Sequence, residues 1–288
     1  MQFRTDLALE AAINCADGLP DDALREEKRV GEITVDRLTL GERSADAIGR
    51  KQGRYVTVSF PPLTDNDRHL EEAALVIGDE LASLLPRDGT VLVVGLGNES
   101  ITPDALGPHA ADMVLATRHI RGEFARSSGL DDLRPVAVMR TGVLGDTGLE
   151  SGETVAALCR EIRPAAVVAI DALACRSLTR LGCTVQLCNS GIAPGSGVGN
   201  ARAPLCADTL GVPVVGIGVP TVVDAVTVAQ DLTGTDGGER VTPNGRAMMV
   251  TPREVDLMIA RASRLVALGI NAALQPHYSP ADLVSAAV

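Results

Sequence analysis

Tryptophan is absent from these 288 residues, and only two Tyr and three Phe occur. With aromatics at 2% and apolar residues at 45%, the interior has to be filled by Ala, Val, Leu and Ile. Such a core suits helices packed closely on a sheet. A basic stripe is also missing: Lys and Arg number 26 against 37 Asp and Glu, for a net charge of -11. Direct nucleic-acid binding needs clustered cations for the phosphates and is excluded on that ground. The acidic balance is compatible with a cationic partner, or simply with solubility. Six cysteines, at 15, 159, 175, 183, 188 and 206, form no C-x-x-C pair. That reads as reduced, mostly buried thiols of a cytosolic protein rather than a zinc or disulfide framework. The histidines at 69, 109, 119 and 277 make no i, i+4 pair, so no metal motif is present. Neither G-x-S-x-G nor G-K-[ST] occurs, which leaves a hydrolase serine and a P-loop unsupported. The N-terminus MQFRTDLALEAA has no secretory pattern, and no run reaches the roughly 18 apolar residues of a membrane span.

The stretch VLVVGLGNESITPDALGP, residues 91–108, organises what is there. A buried strand runs into the turn Gly97-Asn98, and Asp104 follows just ahead of a helix over roughly 104–118. A strand, a glycine turn and a carboxylate describe a site at the carboxyl edge of an α/β sheet. Before it, Ile33, Val35, Leu38 and Leu40 mark one strand and Tyr55, Val56, Val58 and Phe60 another, an antiparallel pair at one edge. Residues 1–30 are polar to amphipathic, and 65–85 form an amphipathic helix. Beyond it, strands are expected at 136–139, 165–170, 184–188 and 214–219, with helices at 150–163, from about 222, and at 252–274. Glycine-rich loops fall at TGVLGDTG and at Ser190–Asn200, and residues 233–246 read as a surface loop. The pattern argues for an α/β fold with a mostly parallel central sheet, helices on both faces and an N-terminal antiparallel edge pair. No internal repeat or second-domain boundary is visible.

Two carboxylates stand out by position, Asp104 after the glycine turn and Asp171 after the strand AAVVAI. In a doubly wound sheet both reach the same edge. Two neighbouring, partly desolvated carboxylates do not both ionise easily. One is driven toward its acid form while the other stays charged, a division that suits hydrolysis. The plainer alternative makes Asp104 a helix cap after Thr102-Pro103 and Asp171 a turn residue. Gly95-x-Gly97 lacks the third glycine of a dinucleotide fingerprint, since position 100 is Ser, so no nucleotide cofactor is called for. Loop 190–200 could offer backbone N–H groups to a carbonyl or an anion. Asp146 and Glu150 are candidate substrate contacts.

Taken together and in order, FRTDLALEA, VVGLGN with TPDALGP, IDALACRS, NSGIAPGSGVGN, GVPTVVDA and MVTPREVD resemble the germination protease family of endospore-forming bacteria. These segments run from residue 3 to residue 256. The resemblance implies a fold similar to the hydrogenase maturation endopeptidases. It implies a homotetrameric endopeptidase of the forespore and spore core, in the cytoplasm, made as a zymogen. Its substrates would be the small acid-soluble spore proteins that coat DNA, and its essential aspartates would fall on Asp104 and Asp171. Substrates of the family are cut in a motif resembling Thr-Glu, then Phe or Ile, Ala, Ser, Glu. Here Thr5-Asp6-Leu7-Ala8-Leu9-Glu10 resembles that motif, which places self-processing at the Asp6–Leu7 bond. Residues 1–6 would be a pro-segment and 7–288 one peptidase domain. Mild acid would favour processing, because the two carboxylates must share a proton.

Three departures follow. The pro-segment is short for the family, region 233–246 is shorter than in longer members, and Cys175 stands where Ala is frequent. A hydrogenase-maturation-type endopeptidase shares the G-x-G-N turn and both carboxylates but also uses a His, and none follows Asp171 before His277. A small-molecule-binding α/β module using the Gly95–Asn98 turn is the non-enzymatic alternative. No cofactor and no metal cluster are called for, although two aspartates could hold a divalent ion.

Overall fold

The computed structural model describes residues 5–65, 69–195, 202–233 and 248–278. The chain opens with helix α1 (Ala8–Ile13) and the strands β1 (Leu24–Val30) and β2 (Ile33–Leu40). Helix α2 (Glu42–Ala47), strand β3 (Gly53–Ser59) and helix α3 (Leu70–Leu84) follow. Next come β4 (Val91–Gly95), α4 (Leu106–Asp112), α5 (Gly122–Ser127), β5 (Val136–Arg140), α6 (Leu144–Thr147) and α7 (Ser151–Ile162). The second half contains β6 (Ala166–Cys175), β7 (Thr184–Cys188), α8 (Ala207–Leu210), β8 (Val214–Asp224), α9 (Ala225–Thr233), β9 (Met249–Val250) and α10 (Val255–Leu274).

The strands build one sheet in the order β1-β2-β3-β7-β8-β6-β4-β5, with β9 added to β8. Pairing is parallel from β5 through β4 and β6 to β8. It is antiparallel from β8 through β7, β3 and β2 to β1. The α/β architecture expected from the sequence is present, and the sheet is mixed. The alternation of side chains along each strand sends them to two different environments.

On one face, Val93, Val168, Ile170, Ile217 and Val219 meet α3, α4 and α10. Leu70, Ala73, Ala74, Ile77 and Leu81 recur at helical spacing along α3 and turn inward. Ile77 and Leu81 are fully buried, each contributing roughly 1.5–3 kcal/mol. By length and mean hydropathy α10 could cross a membrane. Most of it is buried inside the protein, where Ile259, Leu265, Val266 and Ile270 join the same core. On the other face, Leu92, Val94 and Val167 pack with Val155 and Cys159 of α7. Farther across, Leu38, Leu40 and Tyr55 pack with Ala8 of α1. Between those two clusters β8 presents Gly216 and Gly218, which have no side chain to fill the gap. The site lies there.

The structure differs from the sequence expectation in three places. First, β1, with the sequence LREEKRV, is a strand although it has no apolar alternation. It pairs along its whole length with β2, and Arg25 bridges to Asp36 at 2.5 Å. An exposed edge strand dense in charge resists pairing with other chains, and the same charge conceals it from hydrophobic periodicity. The antiparallel edge therefore extends past the β2–β3 pair on both sides, to β1 and to β7. Second, β6 and β8 run about five residues beyond their apolar runs, so Asp171 sits inside β6 rather than at its end. Third, the helix after Asp104 is only Leu106–Asp112. Region 234–246, part of the loop 190–200 and the tail beyond Tyr278 lie outside the described residues.

Candidate active site

Asp104 is placed by a short sequence of constraints. After β4 the chain passes Gly97, whose φ of +111° favours glycine. A Cβ at Gly97 would be driven into the backbone oxygen of Asp104. Thr102–Asp104 then make one 3-10 turn. The Asp104 N–H donates to the Ile101 carbonyl at 2.7 Å, and the Asn98 N–H donates back to the Asp104 carboxylate at 2.8 Å. Thr221 Oγ1, on β8, donates to the Pro103 carbonyl at 2.7 Å and anchors the turn to the sheet. Asp104 is thus held by backbone on both sides, and it ends its turn rather than capping α4 with its side chain.

Asp171 comes up from β6, in register with Gly218 of β8. A Cβ at Gly218 would lie 2.6 Å from the Asp171 carbonyl oxygen and 2.7 Å from Leu173. Glycine therefore lets the strands close while leaving space beside Asp171. Asp171 is 6% exposed, and its carboxyl accepts the Ala172 N–H at 3.0 Å. Both aspartates line one cavity of about 790 Å³ with Asp6, Gln186, Arg202 and the loop Ser190–Gly195.

Their environments separate them. Burial, followed by the charges of Asp104 and Asp6, pushes the Asp171 carboxyl well above the usual range. Burial also raises Asp104, but the Asn98 N–H and the Arg202 guanidinium act against it. Both carboxyls are therefore driven toward the protonated form, Asp171 more strongly than Asp104. Arg202 is held at the rim by Glu150 at 3.2 Å. Glu150 thus acts on the site through Arg202, while Asp146 stands exposed on α6.

The N-terminal segment enters this cavity. The Asp6 N–H donates to the Ala174 carbonyl, and the Ala174 N–H donates to the Asp6 carboxylate, both at 2.8 Å. Leu7 is fully buried among Leu173, Cys175 and Val223. Glu10, 4% exposed, accepts the N–H groups of Arg176 at 2.7 Å and Ser177 at 2.9 Å. It also accepts the Thr5 hydroxyl at 2.5 Å, and Arg180 lies 3.7 Å away. The Thr5 Oγ1 in turn accepts the Leu7 N–H at 3.1 Å, and Arg50 donates to the Thr5 carbonyl. Gln186 donates through Nε2 to the Asp6 carbonyl at 3.0 Å and accepts the Ala8 N–H at 2.7 Å. The four residues named from sequence, Asp6, Leu7, Asp104 and Asp171, are therefore brought to one place. Cys175 packs on Leu7 as a buried thiol whose acidity burial suppresses. Among the described residues no three His, Cys, Asp or Glu side chains are grouped to hold a metal ion.

Gln186, Arg202 and the receptor for Glu10 were not singled out in the sequence. Gln186 carried a signal, a lone amide within the apolar strand TVQLC. Arg202 and the Arg176–Ser177 backbone had none, since neither lies in a pattern with a chemical reading.

Comparison with known proteins supplies the class. The sequence model Peptidase_A25, described as germination protease, matches residues 14–234. A germination protease of Caldanaerobacter subterraneus is 41% identical over 98% of this chain and 97% of its own length. Those of Clostridium acetobutylicum and Priestia megaterium are 38% and 35% identical. They cover 95% and 94% of this chain, and 95% and 93% of their own lengths. Among solved structures, a NiFe hydrogenase maturation protease HycI from Thermococcus kodakarensis covers 66% of this chain and 98% of its own. The identity is 18% and the TM-score 0.38.

Proposed function

This chain belongs to the germination protease family and is an endopeptidase, and we propose that it hydrolyses peptide bonds with Asp104 and Asp171 as an unequal acid–base pair. Asp104, the charged member, takes a proton from water as the water oxygen adds to the peptide carbonyl carbon. Asp171, the protonated member, gives its proton to the leaving nitrogen as the C–N bond breaks. Water is thereby divided between the new carboxyl and amino ends, and the one proton on the pair, now on Asp104, returns to Asp171 directly or through solvent. The observation that carries this reading is the burial of Asp171 beside Asp104 in a cavity that already holds the chain's own Asp6.

The same reading makes Asp6–Leu7 the self-processing bond and residues 1–6 a pro-segment, of which Asp6 lies in the cavity. Leu7 onward would be the single peptidase domain. The substrates would be small acid-soluble spore proteins, in the cytoplasm of the forespore and spore core, and the assembly a homotetramer. Their support is the family resemblance together with the docking of Thr5–Glu10. Similarity to the hydrogenase maturation protease carries no argument for the alternative at that TM-score.

The test is cleavage of a small acid-soluble spore protein by the processed enzyme, with fragments read by mass. Cuts between an acidic residue and a large apolar one are expected. Asp104→Asn or Asp171→Asn should lower the rate by at least about 10³-fold. Substrate left whole by the processed wild type, or cut equally by either variant, would contradict the proposal.

A further inference from the structure

Gln186 touches both sides of the Asp6–Leu7 bond. Its Nε2 donates to the carbonyl oxygen of Asp6, and its Oε1 accepts the N–H of Ala8. It is 6% exposed, and it stands on β7 opposite Gly218, which is itself opposite Asp171 on β6. Gln186, Gly218 and Asp171 therefore form one transverse row, with the amide and the carboxyl two strand spacings apart, roughly 10 Å. The glycine between them leaves room for a peptide group. A buried amide on an otherwise apolar strand carries a desolvation cost unless both its ends are used. Here both are used by the same short segment of main chain.

We propose that Gln186 is a catalytic residue of this peptidase, its amide N–H holding the carbonyl oxygen on which negative charge develops while its amide oxygen fixes the chain beyond the cut. The inference rests on the reading of Asp6–Leu7 as the processed bond. When water adds to the Asp6 carbonyl carbon, the C=O π electrons move onto the oxygen that Gln186 Nε2 already contacts. The negative charge is then met by a preorganised, buried donor. The bond from Ala8 fixes the chain just past the leaving nitrogen of Leu7. Because Gln186 contacts only main chain, it would serve a substrate in trans as it serves the chain's own N-terminus. Side-chain selectivity would come from elsewhere in the cavity.

The experiment follows loss of residues 1–6 in the full chain by intact mass, with Gln186→Met and Gln186→Glu beside the wild type. Amide exchange across α1 and the melting temperature are recorded in parallel. Met keeps bulk and removes the donor, and should slow processing by about 10²–10³-fold. Exchange protection of α1 should remain, because Glu10 and Leu7 still hold it. Gln186→Glu should regain part of the rate as pH falls, since a neutral carboxyl donates a hydrogen bond and a carboxylate does not. Measured as a ratio to wild type at each pH, the Met variant should show no such gain. Processing of the Met variant within about threefold of wild type would overturn the assignment. So would a slowed Met variant with unprotected α1, which would reduce Gln186 to a docking role. Failure of the underlying bond assignment is distinct: the wild type itself would not lose residues 1–6, and both readings would fall together.

Discussion

Asp171 shows at the scale of one residue how function is set against stability. Its carboxyl is buried beside two other acids, and the hydrogen bond from the Ala172 N–H opposes the rise in its proton affinity. An acid whose proton affinity is raised by folding binds more protons folded than unfolded. Stability is therefore highest below the ordinary carboxylate range and falls as pH rises from there through the raised folded value. Asp171→Asn removes the titrating group, so the variant is expected to be inactive yet to melt higher than wild type near pH 7. The gap should close as pH falls into the ordinary carboxylate range. Each kcal/mol recovered corresponds to about 2–4 °C in a chain near this size. Equal melting temperatures across that range, read by calorimetry, would show that Asp171 is not held protonated. This pair was legible in the sequence, because a carboxylate after a glycine turn and another after an apolar run both point to one sheet edge. Which of the two carries the proton was not legible. That depends on Asn98, Arg202 and Asp6 converging across the fold, and no local spacing encodes such a convergence.

At the scale of the element, the unit that matters is β4, its glycine turn and the 3-10 turn before α4. Asp104 is useful because Gly97 allows the chain to fold back onto it. Gly97→Ala adds a Cβ at a left-handed φ and against the Asp104 carbonyl. It should cost about 1–3 kcal/mol and move the carboxylate. The expected outcome is a chain that still folds, with a lowered melting temperature and processing slowed by at least about 10²-fold. Unchanged processing kinetics would mean that the turn does not set the position of Asp104. Elements with a clear period were legible: α10 to within three residues, and α3 at its C-terminal end, with its start five residues later than expected. The charged strand β1 and the extensions of β6 and β8 were not. They are strands because neighbours pair with them, and pairing between distant segments leaves no periodic trace in either one.

At the scale of the whole molecule, one face of the sheet is covered by α3, α4 and α10, and the other is left open between two smaller clusters. Residues 5–10 enter that opening. Asp6, Leu7 and Glu10 are held by groups from β6, β7, β8 and the loop after β6, and Thr5 by Arg50 and Glu10, so the cavity beside the aspartates already holds a stretch of the chain's own peptide. The FRTDLALEA segment was legible as a candidate self-site only through its resemblance to a substrate motif. That it docks at the aspartates is a property of the tertiary fold. The proposed division of labour also gives the pH response a direction. Processing should accelerate as pH falls and Asp171 gains its proton, then fail once Asp104 is protonated too.

The most direct test of the central claim is the intact mass of the purified full-length chain, followed with time at mildly acidic pH beside Asp104→Asn and Asp171→Asn. The account predicts that the wild type alone loses residues 1–6, leaving Leu7 as the new N-terminus. Loss of the same six residues at the same rate in either variant would contradict it.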